Sequence, residues 1–105
     1  MNLPERVVIT EVGPRDGLQN EARILPLDQK VELINRLSGT GLSRIEAASF
    51  VSPKAIPQMA DATEVMAAIE RAPGVTYIGL VPNERGASDA IDARVDEVSV
   101  VVSAS

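Results

Sequence analysis

The chain has 105 residues, and ten Lys and Arg against fifteen Asp and Glu leave a net charge of −5. With no histidine or cysteine it holds no disulfide framework, zinc ribbon, thiol nucleophile or Ser-His-Asp triad. An acidic balance with only Phe50 and Tyr77 as aromatics argues against a nucleic-acid partner. No apolar run approaches the roughly 20 residues a membrane helix needs, and no secretory leader is legible, so the expectation is a cytoplasmic protein without membrane contact. The length allows one domain at most, spanning residues 1–105.

In chain order, the first β-branched run covers residues 7–12 and opens into a charged loop over 13–26. Val31, Ile34 and Leu37 recur at helical spacing, which predicts a helix over 28–38 that stops at Gly39 or Gly41. A second strand is expected over 44–48, followed by a long loop over 49–60. Ala62, Val65, Met66 and Ile69 then form one apolar stripe, predicting a helix over 61–72 with Asp61 and Glu64 as a capping box and Pro73-Gly74 as the stop. The third strand is expected over 75–81. Asn83 is the expected N-cap of a third helix over 84–94, with Ala87, Ala90 and Ile91 facing inward. The last run, 97–102, is almost unbroken valine and reads as a strand buried on both faces.

The order βαβαβαβ predicts an α/β fold of parallel strands joined by right-handed crossovers. A doubly wound sheet and a (β/α)8 barrel both begin this way. In either one, chemistry belongs in the loops at the carboxyl ends of the strands, here 13–26 and 49–60. Both are long for βα connections.

The first of these loops reads Glu11-Val12-Gly13-Pro14-Arg15-Asp16-Gly17-Leu18-Gln19-Asn20-Glu21. It lacks the glycine spacing of a phosphate-binding loop. Two readings of its residues stand. In one, Asp16 offers hard oxygen ligands to Mg2+ or Mn2+, and Arg15 supports negative charge developing on a substrate. In the other, Pro14 and Asp16-Gly17 make an ordinary turn, and Arg15–Asp16 is a solvated ion pair.

This string closely resembles the first-strand motif of the 3-hydroxy-3-methylglutaryl-CoA lyases, metal-dependent members of an aldolase-type barrel superfamily. The resemblance continues through Ile45-Glu46-Ala47-Ala48-Ser49-Phe50-Val51-Ser52-Pro53-Lys54, Pro57-Gln58-Met59 and Val81-Pro82-Asn83-Glu84-Arg85-Gly86. Arg-Asp-Gly with the following Gln is shared across the superfamily, whereas the longer first string together with Ser-Phe-Val-Ser-Pro-Lys looks like the lyase branch. The resemblance implies cleavage of an acyl-CoA thioester, 3-hydroxy-3-methylglutaryl-CoA, to acetyl-CoA and acetoacetate by retro-Claisen chemistry with Mg2+ or Mn2+. It implies a homodimer and a place in leucine breakdown. By carry-over, Asp16 matches the metal ligand, and Arg15 matches the arginine that neutralises the enolate thioester oxygen. Gln19 matches a residue near the substrate, and Glu46 an acidic residue lining the active site.

The residues taken alone suggest plainer roles for some of these positions. Glu46 would pair with a neighbour such as Arg44, Ser49 and Ser52 would bond loop backbone, Lys54 is assigned nothing, and Asn83 is a helix cap. The family pattern also includes two histidines on a later strand and a cysteine in a glycine-rich loop, neither type being present here. A barrel of this kind takes about 250 residues. The expectation is therefore the N-terminal half of a (β/α)8 barrel, belonging to a longer enzyme and inactive alone. The rivals are a related Claisen-type synthase, a pyruvate-releasing aldolase of the same superfamily, and a non-catalytic half-barrel module.

Overall fold

Segments that alternate between β-branched runs and helical periodicity pair as parallel strands, because each helix returns the chain to the same end of the sheet. The computed structural model describes residues 8–19, 22–52 and 54–100. Its strands are β1 (Thr10–Glu11), β2 (Arg44–Ser49), β3 (Thr76–Val81) and β4 (Glu97–Val100), and its helices are α1 (Leu27–Ser38), α2 (Ala62–Ala68) and α3 (Glu84–Asp92). A wide helical turn, Gly13–Gly17, follows β1, and a short 3-10 turn, Pro57–Met59, precedes α2. The sequence motif residues Asn20, Glu21 and Pro53, and the strand residues Val7, Val101 and Val102, lie outside the described residues.

All pairings are parallel, in the order β1-β2-β3-β4. That order decides between the two architectures left open by the sequence. A doubly wound sheet reverses its strand order at a switch point, whereas a barrel adds each strand beside the last. Four crossover-linked strands laid down in one direction are the barrel arrangement. The expected α/β fold is therefore observed.

The core lies between the central strands and the helices. Ile34, Ile45, Val65, Met66, Tyr77 and Ala90 are all buried in it. The Tyr77 hydroxyl accepts the Ala72 backbone N–H at 2.9 Å and shares a 2.7 Å hydrogen bond with the Ser38 hydroxyl. It thereby ties α1 and the α2–β3 connection to the centre of the sheet. Gly86 lets α3 approach the second βα loop, since a Cβ there would lie 2.6 Å from the Phe50 carbonyl oxygen.

Several expectations are corrected. The α2 helix ends at Ala68 rather than near residue 72, because Ile69 turns extended at φ −68°, ψ 150°. The backbone N–H of Glu70 then donates to Asn35 Oδ1 at 2.8 Å, replacing the lost helical partner. Asp61 stands at the N-cap but makes no capping hydrogen bond, so the capping box is not formed. Its carboxylate instead accepts the Lys30 ammonium at 2.6 Å. The α3 helix stops at Asp92, and Ile91 faces solvent at 71% exposure, while Ala90 is buried as expected. In β4, Val98 and Val100 are 41% and 64% exposed, with β3 the only strand beside β4 among the described residues. The Asn83 cap is present, with its side chain accepting the Gly86 N–H at 2.8 Å.

Lys30 is the one lysine in the described core, at 3% exposure. It reaches from α1 to Asp61 and also donates to the Gln58 carbonyl oxygen, so it anchors the second βα loop from below. The pair is asymmetric, because the Asp61 side chain is 28% exposed and can rehydrate, whereas the ammonium cannot. Asp61→Ala is accordingly expected to cost about 3 kcal/mol in urea unfolding, and Lys30→Met only about 1 kcal/mol. Equal costs would show that the ammonium is not dependent on Asp61.

Arg44 and Glu97 pair across β3 at the opposite end of the sheet. The hydrogen bond from Arg44 holds the Glu97 carboxyl below its ordinary range.

Candidate active site

Beyond the carboxyl end of β1, the chain turns sharply around one acceptor. The Val12 carbonyl oxygen takes the N–H groups of Arg15, Asp16 and Gly17 at 3.1, 2.7 and 3.4 Å. Bonds that reach back three, four and five residues make a turn wider than an α-helix, a distortion frequent at functional sites. The Gly13 N–H donates to Glu11 Oε1 at 2.9 Å, which ties the turn to the strand before it. Pro14 is buried, and the turn rests against β2. The segment that reads as a loop in sequence is thus a compact helical turn continuing through Leu18 and Gln19.

This packing brings Arg15 to Glu46, 31 residues apart in sequence. Arg15 Nε donates to Glu46 Oε1 at 2.5 Å, and Nη1 lies 3.3 Å from Asp16 Oδ1. The guanidinium is therefore held between two carboxylates. Their environments differ: the Glu46 side chain is 9% exposed and Asp16 is 52% exposed. The buried partner fixes the orientation of the fork, and the exposed one faces the open end of the sheet. Two of the fork's nitrogens carry these contacts, and Nη2 has no acceptor among the described residues.

The plainer reading of Glu46 as the partner of Arg44 is corrected, since Arg44 pairs with Glu97. The reason is reach along the strand: two residues apart, Arg44 and Glu46 share a face of β2, but Arg44 stands at its start beside Thr10 and opposite Glu97, and Glu46 lies nearer the end on which the Gly13–Gly17 turn is seated.

Gln19 lies on the same turn, and its Oε1 is buried without a hydrogen-bond donor among the described residues. Ser49, at the end of β2, is fully buried, and its hydroxyl is likewise unpartnered among them. Ser49 thus does not bond loop backbone, correcting that expectation. Both are polar groups that sequence reading could place near the site but could not show to be unsatisfied. Nothing local distinguishes Arg85 from a solvated helix residue, and Lys30, on the apolar stripe of α1, reads from sequence as a surface side chain.

A cleft of about 550 Å3 opens at the end of β2. It is lined by the second βα loop and the start of α3, including Ser49, Ser52, Lys54, Asn83 and Arg85. Arg15, Asp16 and Glu46 are not on its walls; the cleft and the ion-pair cluster share only β2, which carries both Ser49 and Glu46.

The donor chemistry suits a hard divalent cation only in part. Asp16 offers carboxylate oxygen at the open end, and the orphaned Gln19 Oε1 is a neutral oxygen nearby in sequence. Among the described residues, no three Asp, Glu, His or Cys side chains converge as a complete set.

A parallel sheet of successive β/α units laid down in one direction defines a barrel-class α/β protein, and here an arginine from the turn after β1 is clamped between the carboxylates of Asp16 and Glu46. The chain belongs to the HMGL-like family, whose profile matches residues 6–105. It is 59% identical over 103 residues to the human cytoplasmic 3-hydroxy-3-methylglutaryl-CoA lyase, covering 98% of this chain and 28% of that protein. It is 51% identical to the 3-hydroxy-3-isohexenylglutaryl-CoA/hydroxy-methylglutaryl-CoA lyase of Pseudomonas aeruginosa, covering 100% of this chain and 35% of the relative. Among solved structures, an HMG-CoA lyase from Brucella melitensis superposes with a TM-score of 0.92 at 57% identity, covering 97% of this chain and 36% of that one. One from Acinetobacter baumannii, in complex with coenzyme A and 3-methylmalate, gives 0.91 at 53% identity, covering 93% and 32%. The chain spans about a third of the length of the relatives it matches.

Proposed function

We propose that the full-length product containing these residues is a carbon–carbon lyase cleaving 3-hydroxy-3-methylglutaryl-CoA to acetyl-CoA and acetoacetate, and that residues 1–105 are part of one barrel domain. The observation that carries this reading is the 2.5 Å contact between Arg15 and Glu46, which joins the first βα turn to β2 with Asp16 beside it. Identity above 50% to lyases over nearly the whole chain supports it.

In this reading, Arg15 is the catalytic cation. Retro-Claisen cleavage moves an electron pair from the breaking C–C bond onto the thioester carbonyl, and a fixed guanidinium stabilises the oxyanion that results. Glu46 orients that guanidinium through Nε, leaving its outer edge for substrate. Asp16 would hold a divalent cation, Mg2+ or Mn2+, with Gln19 near the substrate's polar groups. When bound, such a cation supplies Lewis-acid polarisation and makes the substrate's tertiary hydroxyl more acidic. A homodimer and a cytoplasmic setting in leucine breakdown belong to the same proposal; no described helix is long and apolar enough to cross a membrane.

The test is acetoacetate release by the purified full-length product from 3-hydroxy-3-methylglutaryl-CoA. Release is expected with Mg2+ or Mn2+ and is expected to stop on adding a chelator. Consumption of acetyl-CoA without acetoacetate would place the protein among the synthases instead.

A further inference from the structure

The buried ammonium of Lys30 takes no part in the chemistry assigned above, and its place in the fold is unfavourable for a charge. It precedes Ile34 and Leu37 by one and two turns on the apolar stripe of α1, at 3% exposure. A methionine there would bury a similar stem with no charge to desolvate. Stability therefore gives little reason for a lysine at this position.

Its contacts fall on the second βα loop. Lys30 Nζ donates to the Gln58 carbonyl oxygen and lies 2.6 Å from the Asp61 carboxylate, across 28 and 31 residues of sequence. Between these two points stand Met59 and Ala60, which line the cleft at the end of β2. The described backbone hydrogen bonds of the loop itself are short-ranged. The N–H groups of Ala55 and Ile56 donate to the Ser52 carbonyl oxygen, Met59 to Ile56 and Ala60 to Pro57, at 3.0 to 3.1 Å. Bonds of that reach fix the shape of a turn but not where the turn sits on the sheet. Lys30 supplies that placement from α1.

We propose that Lys30 is a positioning residue, which holds the second βα loop in its cleft-forming shape before substrate arrives. Preorganisation of this kind acts on affinity, because a wall left loose has to be ordered at the expense of binding. Arg15, Asp16 and Glu46 are held by their own ion pairs and by the Gly13–Gly17 turn, through contacts in which Lys30 is not a partner. Loss of the tether should therefore fall on KM and spare kcat. The effect on KM rests on the lyase reading above, whereas the tether rests only on the contacts of Lys30.

Wild type, Lys30→Met and Ile34→Val, all in the full-length product, test this. Ile34→Val is a small packing loss on the same face of α1 that leaves the Lys30 contacts in place. Each protein is followed by amide hydrogen exchange and by acetoacetate release from 3-hydroxy-3-methylglutaryl-CoA with Mg2+. In Lys30→Met, exchange over residues 54–61 is expected to quicken at least about 10-fold, with β2 and β3 no faster than in Ile34→Val. Its KM is expected to rise about 10-fold while kcat stays within about threefold of wild type. Asp61→Asn, which weakens the tether from its other end but keeps an acceptor oxygen, should move loop exchange and KM the same way by less. Ile34→Val should keep wild-type loop exchange and KM. Loop exchange in Lys30→Met no faster than in Ile34→Val overturns the tether. Faster loop exchange with KM unchanged, or with the loss falling on kcat instead, overturns the positioning role. A wild-type protein that releases no acetoacetate overturns the lyase reading, and the exchange comparison then decides the tether by itself.

Discussion

Arg15→Gln in the full-length product is expected to lower kcat for acetoacetate release by about 10³-fold, since removing one fixed donor to a developing oxyanion costs on the order of 10²–10³ and here a full charge goes with it. Glutamine keeps some hydrogen-bonding capacity toward Glu46 but presents no cation to the thioester oxygen. Binding of Mn2+, followed by its relaxation or spin-resonance signal, should stay close to wild type. The substitution has a structural cost as well, because Glu46 is 9% exposed and loses the partner that now neutralises it. Urea unfolding of the same variant measures that cost separately. A variant that stays folded, binds Mn2+ normally and turns over at near wild-type rate would remove Arg15 from the chemistry.

Asp16→Asn is expected to fall equally far in kcat, by about 10³-fold, but for a different reason that the metal titration exposes. The amide is nearly the same size and can still accept from Arg15 Nη1, now 3.3 Å from the Asp16 carboxylate. What it lacks is the negative charge a hard cation requires. Mn2+ affinity should drop by at least about 10²-fold, judging from the 10- to 100-fold losses that follow even indirect damage to metal sites. Stability should change little, because Asp16 is 52% exposed and surface ion pairs contribute weakly. The two variants therefore separate on one axis: Arg15→Gln loses turnover and keeps the metal, and Asp16→Asn loses both. Unchanged Mn2+ affinity in Asp16→Asn would remove its carboxylate from the metal site.

Much of the fold could be read along the chain. The β2 and β3 runs, the α1 stripe and the Asn83 cap depend on neighbours within a few residues, and each is found close to its expected place. The failures share a cause. Asp61 carries a capping-box spacing, but its carboxylate is taken by Lys30 from 31 residues away. The α2 helix has the residues to continue past Ala68, yet Asn35 and Tyr77 capture the Glu70 and Ala72 N–H groups and draw the chain out.

The candidate site divides in the same way. Local chemistry placed Arg15, Asp16 and Gln19 on one segment and marked the carboxyl ends of the strands as the place to look, because turn-forming and charged residues cluster there whatever the rest of the chain does. Pairing was beyond it. Sequence proximity offered Glu46 a neighbour such as Arg44, and only the seating of the Gly13–Gly17 turn on β2 gives it Arg15 and leaves Arg44 to Glu97. Composition, by contrast, excludes thiol and imidazole chemistry from these 105 residues without any structure. It could not show that Lys54 and Arg85 face one cleft over an unpartnered Ser49. Residue type and short-range spacing act through the backbone nearby, whereas charge partners and cavities arise from segments dozens of residues apart, which only packing brings within reach.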